Sequence, residues 1–402
     1  MRILLILRGN YHCGQEEWIE KYSLKDYTID LNHLRFLSSK TKKLANHYEI
    51  FEFHNDIKLI PILLNFLEFR MEKGEFCILN TYEISYKFYK KLAKKYFYKV
   101  FFIDFTNLDL EECYKRSVKY ATNHKILIPK EILKKTHLFL QKIPKKYPIL
   151  KPDEWKQCLY KITNLNSYKK IHHIGDIQGC YSVLKKYLKK IKKDEFYIFL
   201  GDYINRGIEN SKVMKLLLKL YYLPNVCLLE GNHERNLIKW ANNENIYSKE
   251  FNNFTLKDFY KEKITQKDAK KIYSYLKECF WYEYYDKKVF CCHGGINFLP
   301  KEEKLSLISS DNFINGIGTY DESQIIADEF KKNTPKNYYQ IFGHRNRFKL
   351  PIRLNSKVFL CEAKVDKGGF LRIVTLDRQG FDCIELKNKI YKKNSYNFPK
   401  NN

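Results

Sequence analysis

No apolar run in this chain reaches the length of a membrane span, and residues 3–7 are too short for the core of a secretory signal. The eleven cysteines include no CxxC pair. That absence argues against zinc ribbons and disulfide frameworks; without a secretory signal it points to free thiols in a reducing cytoplasm. No internal repeat is present. Acidic residues are scarce, 46 against 73 basic ones, leaving a net charge of +27. The surplus is spread over both halves instead of forming a tail. It favours an anionic substrate without identifying it, because the Lys, Asn, Ile and Tyr enrichment of an AT-rich genome yields the same balance.

What is present is ample for globular packing: 44% hydrophobic and 16% aromatic residues over 402 positions, a length that predicts two domains. The first 141 residues alternate strand and helix patterns. Strands are expected at 3–7, 76–79 and 99–103, and helices at 15–21, 57–72, 86–96, 110–120 and 130–141. That order predicts a doubly wound α/β domain. Residues 142–170 hold Pro144, Pro148 and Pro152 among lysines and read as a linker. A second domain is expected over 171–386, with a helical, charged insertion at 251–280 and closing strands at 357–361, 370–376 and 381–386. Residues 387–402 read as a flexible basic tail.

Five short blocks in the second half share one pattern. They are Gly175-Asp176-Ile177-Gln178-Gly179, Gly201-Asp202-Tyr203-Ile204-Asn205-Arg206-Gly207, Gly231-Asn232-His233-Glu234, His293-Gly294-Gly295 and Gly343-His344-Arg345. Each follows a run of β-forming residues, at 171–174, 196–200, 226–229, 288–292 and 338–342. Ligating side chains at the carboxyl ends of strands, on Gly-rich turns, can converge on one point of a layered sheet. Asp, Asn and His supply hard oxygen and borderline nitrogen donors, which suit a pair of ions such as Mn²⁺, Fe²⁺ or Zn²⁺. A single Gly-Asp or His-Gly-Gly is usually just a turn; five in order at strand ends read as a two-metal phosphoesterase centre. On this reading one ion takes Asp176, Gln178 and Asp202, and the other takes the bridging Asp202 with Asn232, His293 and His344. His233 is placed to protonate a leaving oxygen, and Arg206 and Arg345 to grip phosphate.

The blocks resemble the calcineurin-like metallophosphoesterases, in particular the phosphoprotein-phosphatase branch. LGDYINRG at 200–207 and VFCCHGGI at 289–296 are similar to eukaryotic Ser/Thr protein phosphatases. GDIQGCY at 175–181 is closer to bacterial diadenosine tetraphosphatases, and the two-part layout resembles bacterial polynucleotide kinase-phosphatases of RNA repair. The resemblance implies a P-loop-like doubly wound domain followed by a metallophosphoesterase α/β/β/α sandwich. It also implies two divalent metal ions, with Mn favoured and Mg admitted. Two positions depart from the family pattern. Gln178 stands where the family usually has His, a neutral and weaker ligand. Asn205 stands where the family has an Asp that pairs with the block-three histidine, so His233 keeps a hydrogen-bond partner but loses a charge.

Near the start, Gly9 and Gly14 have the spacing of a phosphate-binding loop between a strand and a helix, but Gln15 and Glu16 replace its Lys and Ser/Thr. Residues 27–37 resemble the acceptor segment of polynucleotide kinases, with Asn32 in place of the catalytic Asp and with Arg35 retained. Three losses read as a pseudokinase for which ATP is not an expected cofactor; a tight strand–helix turn alone also explains the glycines. The remainder can serve as a nucleic-acid docking module using Arg35, Arg116 and surface lysines. The leading expectation is therefore a cytoplasmic phosphatase of RNA or DNA ends carrying 2′,3′-cyclic or 3′-phosphates, with a separate RNA ligase as a candidate partner and no membrane attachment. A dinucleoside-polyphosphate hydrolase, a Ser/Thr protein phosphatase and a non-catalytic RNA-binding regulator are the alternatives.

Overall fold

The run Ile-Leu-Leu-Ile-Leu near the amino terminus has no polar face, so it can only be a strand covered on both sides. The computed structural model describes residues 1–44, 47–82, 86–142 and 146–390, and there this run is the central strand Ile3–Arg8 of a five-stranded sheet. All pairings in that sheet are parallel, and the order is Thr28–Asp30, Cys77–Asn80, Ile3–Arg8, Lys99–Asp104, Ile149–Leu150. Parallel strands need crossovers, which here are helices such as Gln15–Lys21, Asp56–Glu72 and Leu110–His124. Asp56–Glu72 buries Leu59, Leu63, Leu67 and Met71, one residue per turn along a single stripe. Asp109 starts Leu110–His124 by accepting the Glu112 N–H.

Contacts divide the chain into two units. The first comprises Met1–Tyr160 with Glu302–Ser310, and the second Lys161–Lys301 with Asp311 onward. The linker expected at 142–170 is corrected over much of its length. Ile149–Leu150 pairs with the strand Lys99–Asp104, and Trp155, Cys158 and Leu159 are buried in the first unit's core. Two apolar residues among prolines and lysines carry no readable period, so only the neighbouring strand makes them a strand. The segment Glu302–Ser310 was invisible as part of this unit for a similar reason. Its tie is tertiary, with the Met1 amino group donating to Ser306 O at 2.9 Å. The expected tail lies outside the described residues from 391 onward, while Gly380–Lys387 is a strand and Asn388 bonds to Val365 O at 2.9 Å.

The second unit stacks two five-stranded sheets. One runs Val226–Leu228, Glu195–Phe199, Lys170–Ile174, Phe370–Asp377, Gly380–Lys387; the other runs Val358–Leu360, Tyr338–Phe342, Lys287–Cys292, Cys279–Tyr284, Thr163–Asn164. A single apolar cluster draws on both, with Ile171, Ile198 and Val374 from the first and Phe280, Val289, Ile341 and Phe359 from the second. The helical insertion expected at 251–280 is helical over most of its length, but its last two residues belong to the strand Cys279–Tyr284. Before it come the π-helical turn Phe251–Thr255 and the helices Leu256–Lys261 and Gln266–Tyr273. Within each sheet the strands that lead into the five blocks are parallel neighbours, so their carboxyl ends lie together.

Candidate metal centre

Chain reversal at these strand ends is tight enough to exclude side chains. A Cβ on Gly343 would overlap Asp176 Oδ1, and one on Gly231 would overlap Asp202 N and Oδ1. The turns also force three of the expected ligands into the left-handed region, Gln178 at φ 50°, Asp202 at φ 50° and His344 at φ 66°. Non-glycine residues persist there only when their surroundings over-determine them, which is typical of functional sites.

The six expected ligands belong to one assembly. Donor atoms of Asp202, His293 and His344 all lie within 4.8 Å of one another. His293 Nε2 sits 3.2 Å from Asp202 Oδ1 and 3.2 Å from Asn232 Oδ1, while its Nδ1 donates to Leu200 O at 2.8 Å. That outer hydrogen bond fixes the ring so that Nε2 faces the centre. The His344 N–H donates to both oxygens of Asp176 at 3.1 Å. Gln178 Nε2 donates to Asp202 Oδ2 at 2.9 Å, and its Oε1 is buried without a partner. A buried amide oxygen left over in this way fits a hard cation, and the whole donor set fits a divalent pair.

Charge balance makes the same point. Burial and then the neighbouring Glu362 push the Asp176 carboxyl well above its ordinary range. Burial works against the charge on Asp202 too, but His293, His233 and His344 outweigh it and hold the carboxyl low. His293 is raised to about 10 against its burial by Asp202 and Asp176, while burial and the charge on His293 lower His344 to about 3. Burial and Asp202 raise Glu234 to about 8. Four acidic side chains thus share a buried space with few fixed cations, a deficit that divalent ions would relieve.

His233 and Asn205 meet at 2.6 Å between Nδ1 and Nδ2, and His233 Nε2 lies 3.8 Å from Asp202 Oδ2. Arg206 is half-buried within the field of Asp202, Asp366, Glu250 and Glu362, with its Nε 3.6 Å from Glu250. Arg345 is the one clear correction among these residues. It is fully buried and donates to the carbonyls of Gly294, Ile317 and Thr319, so it holds loop backbone in place and has no face for phosphate. Sequence reasoning also missed two carboxylates. Glu234 accepts the N–H groups of Asp202, Tyr203 and Gly231 at 2.9–3.0 Å, tying the second block to the third. Glu362 is buried beside Asp176, whose carboxyl it meets. It ends the strand run at 357–361, so the strand-end pattern that found the other ligands applied to it as well.

The residues singled out near the amino terminus are together as well, but they are consumed by one another. Gly14 takes φ 106° before the helix Gln15–Lys21. Gln15 folds back into the loop, donating to Asn10 O at 2.8 Å and accepting the Cys13 N–H at 3.1 Å, and a Cβ on Gly9 would press on its amide. Glu16 accepts from Tyr82 at 2.8 Å, and Tyr82 stacks on Tyr11 with ring centroids 3.8 Å apart. Arg35 grips Asp56 through two bonds of 2.9 and 2.6 Å and donates to Asn32 at 2.6 Å and Tyr11 at 3.0 Å. Arg116 pairs along its own helix with Glu112 at 3.1 Å.

Known proteins resemble part of this chain. Residues 169–365 match the calcineurin-like phosphoesterase family. The chain is 30% identical over 180 residues to the symmetrical bis(5′-nucleosyl)-tetraphosphatase of Wigglesworthia glossinidia brevipalpis, 44% of this chain and 60% of that protein. It is 30% identical over 156 residues to a protein phosphatase 2A catalytic subunit of Dictyostelium discoideum, 36% of this chain and 45% of that protein. The chain thus spans 60% and 45% of the length of these two curated relatives. A solved serine/threonine phosphatase from Saccharomyces cerevisiae aligns at 15% identity and a TM-score of 0.42, covering 61% of this chain and 87% of that one.

Proposed function

We propose that this chain, which carries a calcineurin-like metallophosphoesterase domain at residues 169–365, is a metal-dependent phosphoesterase that acts on phosphorylated nucleic-acid ends. The convergence of Asp176, Gln178, Asp202, Asn232, His293 and His344 carries the hydrolytic part of this reading. When bound there, two divalent ions, with manganese favoured, supply Lewis-acid stabilisation to a phosphoryl group. The protein's own contribution is positional. His293 keeps its ring aimed inward through Leu200 O, Glu234 closes the turns that carry Asp202 and Asn232, and Arg206 offers a guanidinium at the centre. His233, with Nε2 3.8 Å from Asp202 Oδ2 and Nδ1 against Asn205, is the group placed to protonate a departing alkoxide.

The substrate class rests on the net charge of +27 and on the first unit, a parallel α/β sheet with a Gly-bounded loop after its central strand. We read that unit as a P-loop-kinase-like module without kinase activity, because Gln15 fills the loop from within. A cytoplasmic RNA-repair role alongside a separate ligase belongs to the same proposal. No helix among the described residues is long and apolar enough to cross a membrane. A second reading, hydrolysis of a dinucleoside polyphosphate, is favoured by the GDIQGCY block and the tetraphosphatase relative. Comparing a 3′-phosphorylated oligonucleotide, a diadenosine polyphosphate and a phosphopeptide with Mn²⁺ present tests the choice. The oligonucleotide is expected to be the best substrate. Preference for the dinucleotide by orders of magnitude would overturn the assignment, and no hydrolysis of any of them would favour a non-catalytic RNA-binding regulator.

A further inference from the structure

Arg345 has no face for phosphate, yet it serves the centre through what it holds. It donates to the carbonyls of Ile317 and Thr319 at 2.7 and 2.6 Å, which belong to the loop 315–321 between the fourth and fifth blocks. That loop packs against the His293-Gly294-Gly295 turn so closely that a Cβ on Gly294 would overlap the Gly316 backbone. Arg347 clasps its far end through Asp321 at 2.8 Å. The loop is pinned from both sides, and the side chain it brings to the centre is Tyr320. The Tyr320 hydroxyl donates to His344 O at 3.2 Å, and the ring meets the His344 imidazole edge to face with centroids 5.5 Å apart. Tyr320 also lies in the fields of Glu362, Arg206 and Asp176. Held in this way beside the donors, it is still 46% exposed.

We propose that the exposed face of Tyr320 is a stacking platform for the base of the nucleotide that carries the scissile phosphate, which makes Tyr320 a specificity-determining residue. This deepens the nucleic-acid reading above and rests on it. A ring already pinned loses little freedom when a planar group settles on it. Every base offers a π-face, so the contact recognises a nucleobase without reading sequence. Distance then selects the substrate class. The ring touches His344, one of the candidate ligands, so a base reaches it when a single sugar separates base from phosphorus, as in a nucleoside 3′-phosphate or 2′,3′-cyclic phosphate. In a dinucleoside polyphosphate cut between its inner phosphates, the intervening phosphates carry the base beyond the ring. A phosphopeptide brings no base at all.

The test uses the full-length protein with Mg²⁺ and a short oligoribonucleotide whose last base is 2-aminopurine and whose end is a non-hydrolysable 3′-phosphonate. At saturating protein, the 2-aminopurine fluorescence should be quenched by the wild type and by Tyr320→Phe, which keeps the ring and loses the bond to His344 O. Tyr320→Leu should not quench it. In Mn²⁺-dependent turnover of the 3′-phosphorylated oligonucleotide, Tyr320→Leu should raise KM by about fivefold to a hundredfold with kcat held, and Tyr320→Phe should stay near the wild type. On the same oligonucleotide with an abasic last nucleotide, and on a diadenosine polyphosphate, Tyr320→Leu should leave KM unchanged. Undiminished quenching by Tyr320→Leu, equal losses in the Phe and Leu variants, or an equal rise in KM on the abasic end or the dinucleotide would overturn the proposal. If the wild type hydrolyses no 3′-phosphorylated end, the nucleic-acid reading fails, while the quenching still decides whether Tyr320 stacks on the base.

Discussion

Two Gly-bounded turns follow buried parallel strands in this chain, and they have opposite fates. The turn at 201–207 gives its carboxylate to a shared centre, and the donors around that centre keep spare capacity, including Gln178 Oε1. The turn at 9–14 has the same local design, yet Gln15, Asn10 and Cys13 satisfy one another across it, and Tyr82 and Arg35 engage the flanking polar groups. A turn at a strand end is therefore only a frame. It becomes a site when the neighbouring elements leave its lone pairs and N–H groups for a ligand, and it closes when its own side chains take them.

The largest effect should come from breaking the open turn. Asp202→Ala or His293→Ala should reduce Mn²⁺-dependent hydrolysis of an aryl phosphate by more than the ~10–100-fold cost of losing a supporting contact. Measured initial rates near the wild-type value in either variant would place the chemistry elsewhere. Glu234→Gln should weaken metal binding by roughly 10–100-fold in a calorimetric titration, because an amide cannot accept three N–H groups as a carboxylate does. Unchanged affinity would mean that the turns hold without it.

Asn205→Asp restores the missing charge and should raise alkyl-phosphate turnover several-fold, a small part of the ~10²–10⁴ available to proton transfer. An unaltered rate would remove Asn205 from the account of catalytic strength. In the closed turn, Mg·ATP should leave the melting temperature of the wild type unmoved, whereas Gln15→Ala should cost about 1–3 kcal/mol in a denaturant titration. A clear ATP-dependent rise would show that the loop is open after all.

The smallest effect is a pH slope in the same turn. Burial, with help from His124, lowers His12 to about 4 from 6.5. Between those values the unfolded chain binds the proton and the folded one does not, so stability rises with pH across the window. The contribution is complete above about 6.5 and is lost as the pH falls towards about 4. His12→Asn, which tolerates the left-handed φ of 58° at that position, should flatten the slope in pH-dependent melting.

Much of this was readable in advance because it depends on short-range pattern. β-forming runs that end in a candidate ligand beside a glycine locate the turns at Asp176, Asp202, Asn232, His293 and His344 without knowledge of the fold. The central strand and most helices of the first unit follow from apolar period in the same way. Arg345 was misread because an arginine after a ligand looks the same whether it faces phosphate or three backbone carbonyls. The Thr255 hydroxyl, 2.7 Å from Asn205 Oδ1, was invisible as a neighbour of that amide because 50 residues separate the two. Ile149–Leu150 is too short to show a period and is a strand only by virtue of its neighbour.

The sequence by itself therefore determined the identity and order of the candidate donors, since each depends only on a strand, an adjacent glycine and the residue type beside it. Only the tertiary structure decided which donors remain free. A hydrogen-bonding group is available or spent according to what packs against it; the neighbours of Asp202 include His293 from the other sheet, whereas Gln15 is taken up by its own loop. The outcome at Asp202 and the outcome at Gln15 differ for that reason alone.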